Sequence, residues 1–156
     1  MTRSPEYPDL PWVPPKSWSK GRPQGPPRLI VIHTTEGHEG PVGAENGAAY
    51  DARRTDGTST HYHHDHDSSV QCVRTTDRAH TAKDTGNHRG IHHELSGKAA
   101  QTPVQWRDPA STGALQRAAA QCARDAAKWD IPIRKLTIAQ VAAGERGFCG
   151  HVDLTY

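Results

Sequence analysis

Long hydrophobic runs are missing from this sequence. Nowhere in its 156 residues do about 18 apolar side chains follow one another, which excludes a membrane-spanning helix. The chain opens on polar and proline-rich residues where a secretory leader would carry a basic segment and an apolar stretch, so no signal peptide is expected. Large aliphatics are also scarce: Leu, Ile, Val and Phe together number 21. Such a shortage signals disorder when net charge is high, and here it is only +2. Nineteen alanines offset part of the deficit, which implies one modest core of closely packed helices and small side chains. Three cysteines, with no CxxC pair, exclude a disulfide framework and fit synthesis in a reducing cytosol. Lys and Arg are scattered among acids without a basic stripe, so no nucleic-acid partner is expected.

What the chain has in excess is histidine. There are eleven, four of them within His61 to His66, and metal binding is the first function this suggests.

Residues 1–28 hold eight of the twelve prolines, with Trp12 and Trp18 among them, and read as an extended arm that wraps the edge of a domain. Leu29 to Ile32 is an unbroken apolar run, the pattern of a strand buried on both faces, and it leads straight into His33. Ala44, Ala48 and Ala52 recur at four-residue steps and predict a small-residue helix within Gly40 to Asp56. Thr58 to Arg74 alternates, which predicts two antiparallel strands with a turn at Ser68-Ser69. Thr60, Tyr62, His64 and His66 then share one face, and His61, His63, Asp65 and Asp67 the other, so the four histidines cannot all bind one ion.

Ile91 to Leu95 is a further strand candidate, followed by an irregular loop over Gly97 to Pro109. The long helix is predicted from Ser111 to Trp129, with apolar residues at three- and four-residue steps and Ser111 or Thr112 as its cap. A short helix around Thr137 to Ala143 leads to Phe148-Cys149-Gly150-His151, with Cys149 read as a core residue.

His33 stands at the end of a buried strand, where α/β sheets tend to present ligands. Two other segments join it: Gly90-Ile91-His92-His93-Glu94-Leu95-Ser96-Gly97, and Gly150-His151-Val152-Asp153-Leu154-Thr155. With Val31-Ile32-His33-Thr34-Thr35-Glu36-Gly37, Ser59-Thr60-His61-Tyr62 and Asp77-Arg78-Ala79-His80, they form five motifs in order over nearly the whole chain. In this the sequence resembles the zinc-dependent N-acetylmuramoyl-L-alanine amidases of the type 2 amidase and peptidoglycan-recognition superfamily, especially endolysins of phages that infect actinobacteria.

The resemblance implies an α/β fold: a mixed central sheet flanked by helices, with the arm at 1–28 and an amidase-like catalytic domain over 29–156. It implies zinc held by His33 and His151, Glu94 as general base, and His61, His80 and Asn87 on the substrate side. A catalytic zinc takes three protein ligands and leaves a position for water, whose pKa it lowers towards about 7. In the family the third ligand, usually Asp or Cys, follows the second histidine at a short distance, so here it is expected beyond Tyr156, and the domain is expected to lack its C-terminal end. His61, His63 or Asp153 is the alternative source of that ligand. Two further departures are Ala79, where the family has Trp, and His92, where it has glycine. His38, His88, His92 and His93 are expected on the surface or in loops.

The implied substrate is the amide between N-acetylmuramic acid and L-alanine in peptidoglycan. The implied setting is a monomeric endolysin without membrane insertion, waiting in the host cytoplasm until a holin releases it. Two other readings stay open. One is a non-catalytic peptidoglycan-binding module of the same fold; the other is a histidine-rich metal buffer, which would hold several ions weakly instead of one.

Overall fold

A computed structural model describes residues 2–154. The apolar run forms β3 (Leu29–Thr34), which carries His33 one residue before its end. Two strands of the arm come before it, β1 (Thr2–Arg3) and β2 (Pro11–Trp12). After it come α1 (Gly43–Arg53), β4 (Tyr62–His64), β5 (Ser69–Gln71), α2 (Lys83–Arg89) and β6 (Gly90–Leu95). The chain continues through α3 (Pro109–Trp129), α4 (Ile138–Ala142), β7 (Gly147–Gly150) and a 3-10 turn at His151–Leu154. The strands form one mixed sheet in the order β1-β2-β5-β4-β6-β3-β7, with β4, β6, β3 and β7 mutually parallel. This is the α/β architecture that the sequence predicts.

The period-2 alternation of the strands sorts their side chains onto two faces. On one, Ile30, Tyr62 and Ile91 pack with Cys122 and Ala126 of α3. On the other, Leu29, Val31 and Cys149 pack with Leu136, Val141 and Leu154, and α1 adds Ala44 and Ala48 against Val70 and Cys72. Cys149 is thus a core residue. The β4–β5 hairpin forms as expected, but its turn lies earlier than Ser68-Ser69. Asp65 accepts the backbone amides of Asp67 and Ser68 at 3.1 and 2.7 Å and leaves Ser69 to start β5.

The long helix starts two residues earlier than predicted. Its cap is Asp108, not Ser111 or Thr112: the Asp108 carboxylate accepts from the Ser111 amide at 2.7 Å, and Pro109 fills the first helical position, where no N–H is needed. At the short helix α4, Thr137 and Gln140 close a capping box.

The arm is part of the sheet. β2 pairs with β5, Tyr7 donates to Asp125 of α3 at 2.7 Å, and Glu6 accepts the Thr75 amide at 2.8 Å. Near its end Arg22 turns inward and donates to the carbonyls of Thr75, His88 and Gly90 at 2.7, 3.1 and 3.0 Å.

Two of the histidines expected at the surface are in the core. His92 and His93 are fully enclosed, as are His61 and His64. The expectation failed because β6 is covered on both faces, so polarity alone did not mark its exposed positions. On the α3 face His64, His93 and Tyr62 stack, with ring centroids 4.7 to 5.9 Å apart. His64 Nδ1 lies 2.7 Å from Ser69 Oγ, its Nε2 lies 3.0 Å from His93 Nδ1, and His93 Nε2 faces Asp125 Oδ2 at 3.5 Å.

Burial holds His64 at a pKa of about 3 and pushes His61, His92 and His93 well below the ordinary range. The unfolded chain protonates all four near pH 6.5 and the folded chain does not, so their stability is full above that pH and is lost as pH falls. Each contributes a slope of about 1.4 kcal/mol per pH unit. Burial pushes Asp125 the other way, up to about 7, and its stability is lost as pH rises through that value. His33, held at about 3, joins the four rings, and Glu94, raised to about 8, joins Asp125; five protons outweigh two. Metal-free protein is therefore expected to melt about 5 °C lower at pH 5.5 than at pH 7.5; an unchanged melting temperature would contradict the neutral burial of these rings.

Candidate active site

The register of three adjacent strands sets the site. β3 pairs His33 with Glu94 of β6, and β6 pairs Glu94 with His63 of β4. Cross-strand partners share a face, so the three side chains form a row on the face opposite α3. β7 ends beside β3 at Gly150, and the chain then turns so that exposed His151 approaches His33. His33 Nδ1 stands 2.9 Å from His151 Nδ1 and 3.9 Å from Glu94 Oε1. The three residues singled out as metal ligands and base are brought together.

The surroundings set the charge of these groups. Burial, and next to it His151, lowers the pKa of His33 to about 3, so its ring is neutral. Burial raises Glu94 to about 8, helped by the nearby charge of Asp51. Desolvation dominates both shifts, which is the arrangement expected of groups held ready for proton transfer or for a cation.

A cavity of about 580 Å³ opens in front of this row, between α1 and the sheet. Glu94, His63, Asp51, Arg54, Asn46 and Thr35 are among its walls, whereas His33 and His151 are not. His63 Nε2 bonds Asp51 Oδ2 at 3.1 Å, and Arg54 reaches the other oxygen of Asp51 at 3.5 Å. One side of the histidine cluster therefore does face the cleft, through His63.

The three residues expected at the substrate have other partners. His61 is sealed in the core: Nδ1 accepts the His92 amide at 3.1 Å, Nε2 lies 3.3 Å from the Asp77 carbonyl, and the Arg22 guanidinium packs 3.1 Å away. His80 lies between Ser19 Oγ at 2.8 Å and the Gly57 carbonyl at 3.2 Å. Asn87 Oδ1 accepts the amides of Thr81 and Ala82, both at 2.8 Å, and so closes the loop before α2. None of the three is among the residues lining the cavity. Asp51 and Arg54, which do line it, went unnoticed in the sequence. The signal was their i, i+3 spacing on a helix whose alanines already marked its buried side.

The donor set matches zinc in part. Two imidazole Nδ1 atoms aimed at each other, one buried and one open to solvent, are a donor pair that zinc accepts. None of the alternative third ligands joins them. Asp153 Oδ2 accepts the Gly150 amide at 2.7 Å, and His61 and His63 are engaged as above. Among the described residues, the group of three donors within mutual reach is Asp65, His66 and Asp67 at the hairpin turn. The Asp65 oxygens there are occupied by backbone amides, that of Ala44 included. The pair fits zinc at two positions. Thr155, the end of the last motif, lies outside the described residues.

Comparison with known proteins bears on this geometry. The family model described as N-acetylmuramoyl-L-alanine amidase matches residues 23–154. The chain belongs to that family. No curated protein matches it. Among solved structures, it is similar to the Staphylococcus aureus hydrolase AmiA, with a TM-score of 0.71 and 16% identity over 93% of this chain. The match spans 66% of the AmiA chain. PlyL gives a TM-score of 0.63 at 16% identity, over 94% of this chain and 82% of that one. A mutant endolysin from Bacillus subtilis gives 0.61 at 17%, over 91% and 82%. At such identities these structures establish the fold.

The cavity wall yields a test of its own. Gly47 of α1 packs on the His63 ring, and a Cβ there would stand 2.5 Å from Nδ1 and 2.8 Å from Cε1. Helix propensity alone favours alanine over glycine by about 1 kcal/mol. The clash reverses the sign, and Gly47→Ala is expected to destabilise by about 1–3 kcal/mol in denaturant unfolding. A stabilised variant would show that His63 is free to move away.

Proposed function

We propose that this chain hydrolyses the amide between N-acetylmuramic acid and L-alanine in peptidoglycan, with zinc held by His33 and His151 and with Glu94 as general base. The observation that carries the reading is the meeting of His33 Nδ1 with His151 Nδ1 and with the Glu94 carboxyl, which in turn forms part of the wall of an open cavity. Zinc bound there would supply Lewis-acid chemistry, polarising the scissile carbonyl and making water a usable nucleophile near neutral pH.

The chain's own residues do the rest. Glu94 takes a proton from water in its ionised form, which a cation beside it would favour against the burial that raises the carboxyl to about 8, and returns that proton to the departing alanine nitrogen. His33, neutral and enclosed, offers a lone pair without first losing a proton. The cavity is wide and lined by hydroxyl, amide and charged groups, which suits a polar glycan with its stem peptide better than a small apolar ligand.

The sequence resemblance points to an endolysin of a phage with an actinobacterial host, and endolysins stand among the structures of similar fold. In that setting it would act as a monomer, released from the host cytoplasm to the cell wall, which is what the sequence resemblance implies. A second reading is favoured by one observation: no third protein donor joins His33 and His151 among the described residues. On that reading the fold binds peptidoglycan without cleaving it.

Zinc content by elemental analysis and clearing of purified cell walls separate the two. The hydrolase is expected to hold one zinc per chain, lost in His33→Ala. Glu94→Gln is expected to keep the zinc and lose about 10²–10⁴-fold in rate. Walls that are bound but not cleaved, with zinc well below one per chain, would establish the binding module instead.

A further inference from the structure

His92, two residues before Glu94 on β6, has no part in the reading above. It is fully enclosed and shares the face of Glu94 and His33. Its Nε2 lies 3.2 Å from the Gly86 carbonyl oxygen, and its Nδ1 lies 2.9 Å from His33 Nε2. A carbonyl only accepts, so the His92 hydrogen sits on Nε2. A neutral imidazole carries a single N–H, which leaves His92 Nδ1 bare and makes it the acceptor of the ring-to-ring bond. The hydrogen in that bond then belongs to His33 Nε2. Repeating the count leaves His33 Nδ1 bare, and this is the atom that faces His151 and Glu94.

We propose that His92 is a positioning residue that reads the Gly86 carbonyl and fixes His33 in the tautomer whose Nδ1 lone pair points into the site, ready for a divalent cation of zinc's class. The cation rests on the reading of His33 and His151 as metal ligands; the tautomer does not.

The surroundings of His92 are built for this. A Cβ on Gly90 would stand 2.7 Å from His92 Cε1 and Nε2 and from the Gly86 oxygen, so only glycine lets the ring reach that carbonyl. The backbone at Gly90 is ordinary extended chain, and the demand is therefore for space. His61 stacks on the His92 ring at 5.6 Å and accepts its backbone amide, which holds the strand beneath it. A metal-ligating histidine whose other nitrogen donates to a fixed acceptor is the usual means of setting both tautomer and ring orientation. Here the acceptor is a second histidine, itself oriented by a helix carbonyl.

Nitrogen NMR of ¹⁵N-histidine-labelled, metal-free protein reads the tautomer directly. His33 is expected to be protonated at Nε2 and bare at Nδ1; the opposite tautomer would overturn the proposal. Competition with a chromogenic chelator reads zinc affinity. His92→Leu is expected to weaken zinc about 10–100-fold. His92→Asn, which keeps an acceptor near the Nδ1 position, is expected to recover most of it. Gly90→Ala, which keeps every imidazole in the chain but crowds the His92 ring off the Gly86 carbonyl, should weaken binding in the same direction. Unchanged zinc affinity in a folded His92→Leu, or in Gly90→Ala should the leucine variant fail to fold, would overturn the proposal. If wild-type protein and His33→Ala alike bind no zinc, the metal reading fails, and the histidine spectra still decide the tautomer.

Discussion

The in-register pairing of β6 with its two neighbours is the constraint on which the rest depends. Six consecutive residues of β3 pair with six of β6, and three of β4 pair with the same strand. A slip of one residue would turn Glu94 towards α3 and bring His93 into the row with His33 and His63. The apolar residues Ile30, Tyr62 and Ile91 resist that slip because they fill the α3 face. Thus a few core side chains on one face hold the chemistry in alignment on the other.

That core is unusual in what it uses for bulk. With few large aliphatics, the strands fill both faces with imidazole rings, and each ring must then find a partner for its nitrogens. The result is two directed chains of hydrogen bonds. One runs from His33 through His92 to a helix carbonyl, and the other from Ser69 through His64 and His93 towards Asp125. The first sits beside the site and sets which nitrogen of His33 is bare. The second is closed off beneath α3 and stops at His93, whose Nε2 faces Asp125 of the helix at 3.5 Å without a hydrogen bond. The same residue type serves packing on one side and chemistry on the other, and only the partner at the end of each chain tells them apart.

Much of this was legible in the sequence. The apolar run at 29–32, the alanine spacing of α1, the long α3 and the hairpin all rest on periodicity and are present, with α3 starting two residues earlier than it placed it and the hairpin turning sooner. His33, Glu94 and His151 were found through motif resemblance, and the structure brings them together. Burial was the weak point. His92 and His93 look like polar loop residues, but a strand between two parallel neighbours is covered on both faces whatever it carries. His61 and Asn87 belong to the right motifs, yet their hydrogen-bond partners are backbone groups that no local pattern shows. Asp108 was passed over as a cap in favour of two hydroxyl residues because the proline after it looked like the end of a loop instead of the first residue of a helix.

Arg22 shows that the folding unit reaches ahead of the span shared with the family. The span shared with the family starts at residue 23, one position after it. Yet its guanidinium satisfies three carbonyls, those of Thr75, His88 and Gly90, and presses against the ring of His61. A polypeptide cut at the family boundary would keep every residue of the candidate site but strand those three oxygens in a region where little water can reach them. For this protein, the boundary seen by homology and the boundary of stable structure are different places.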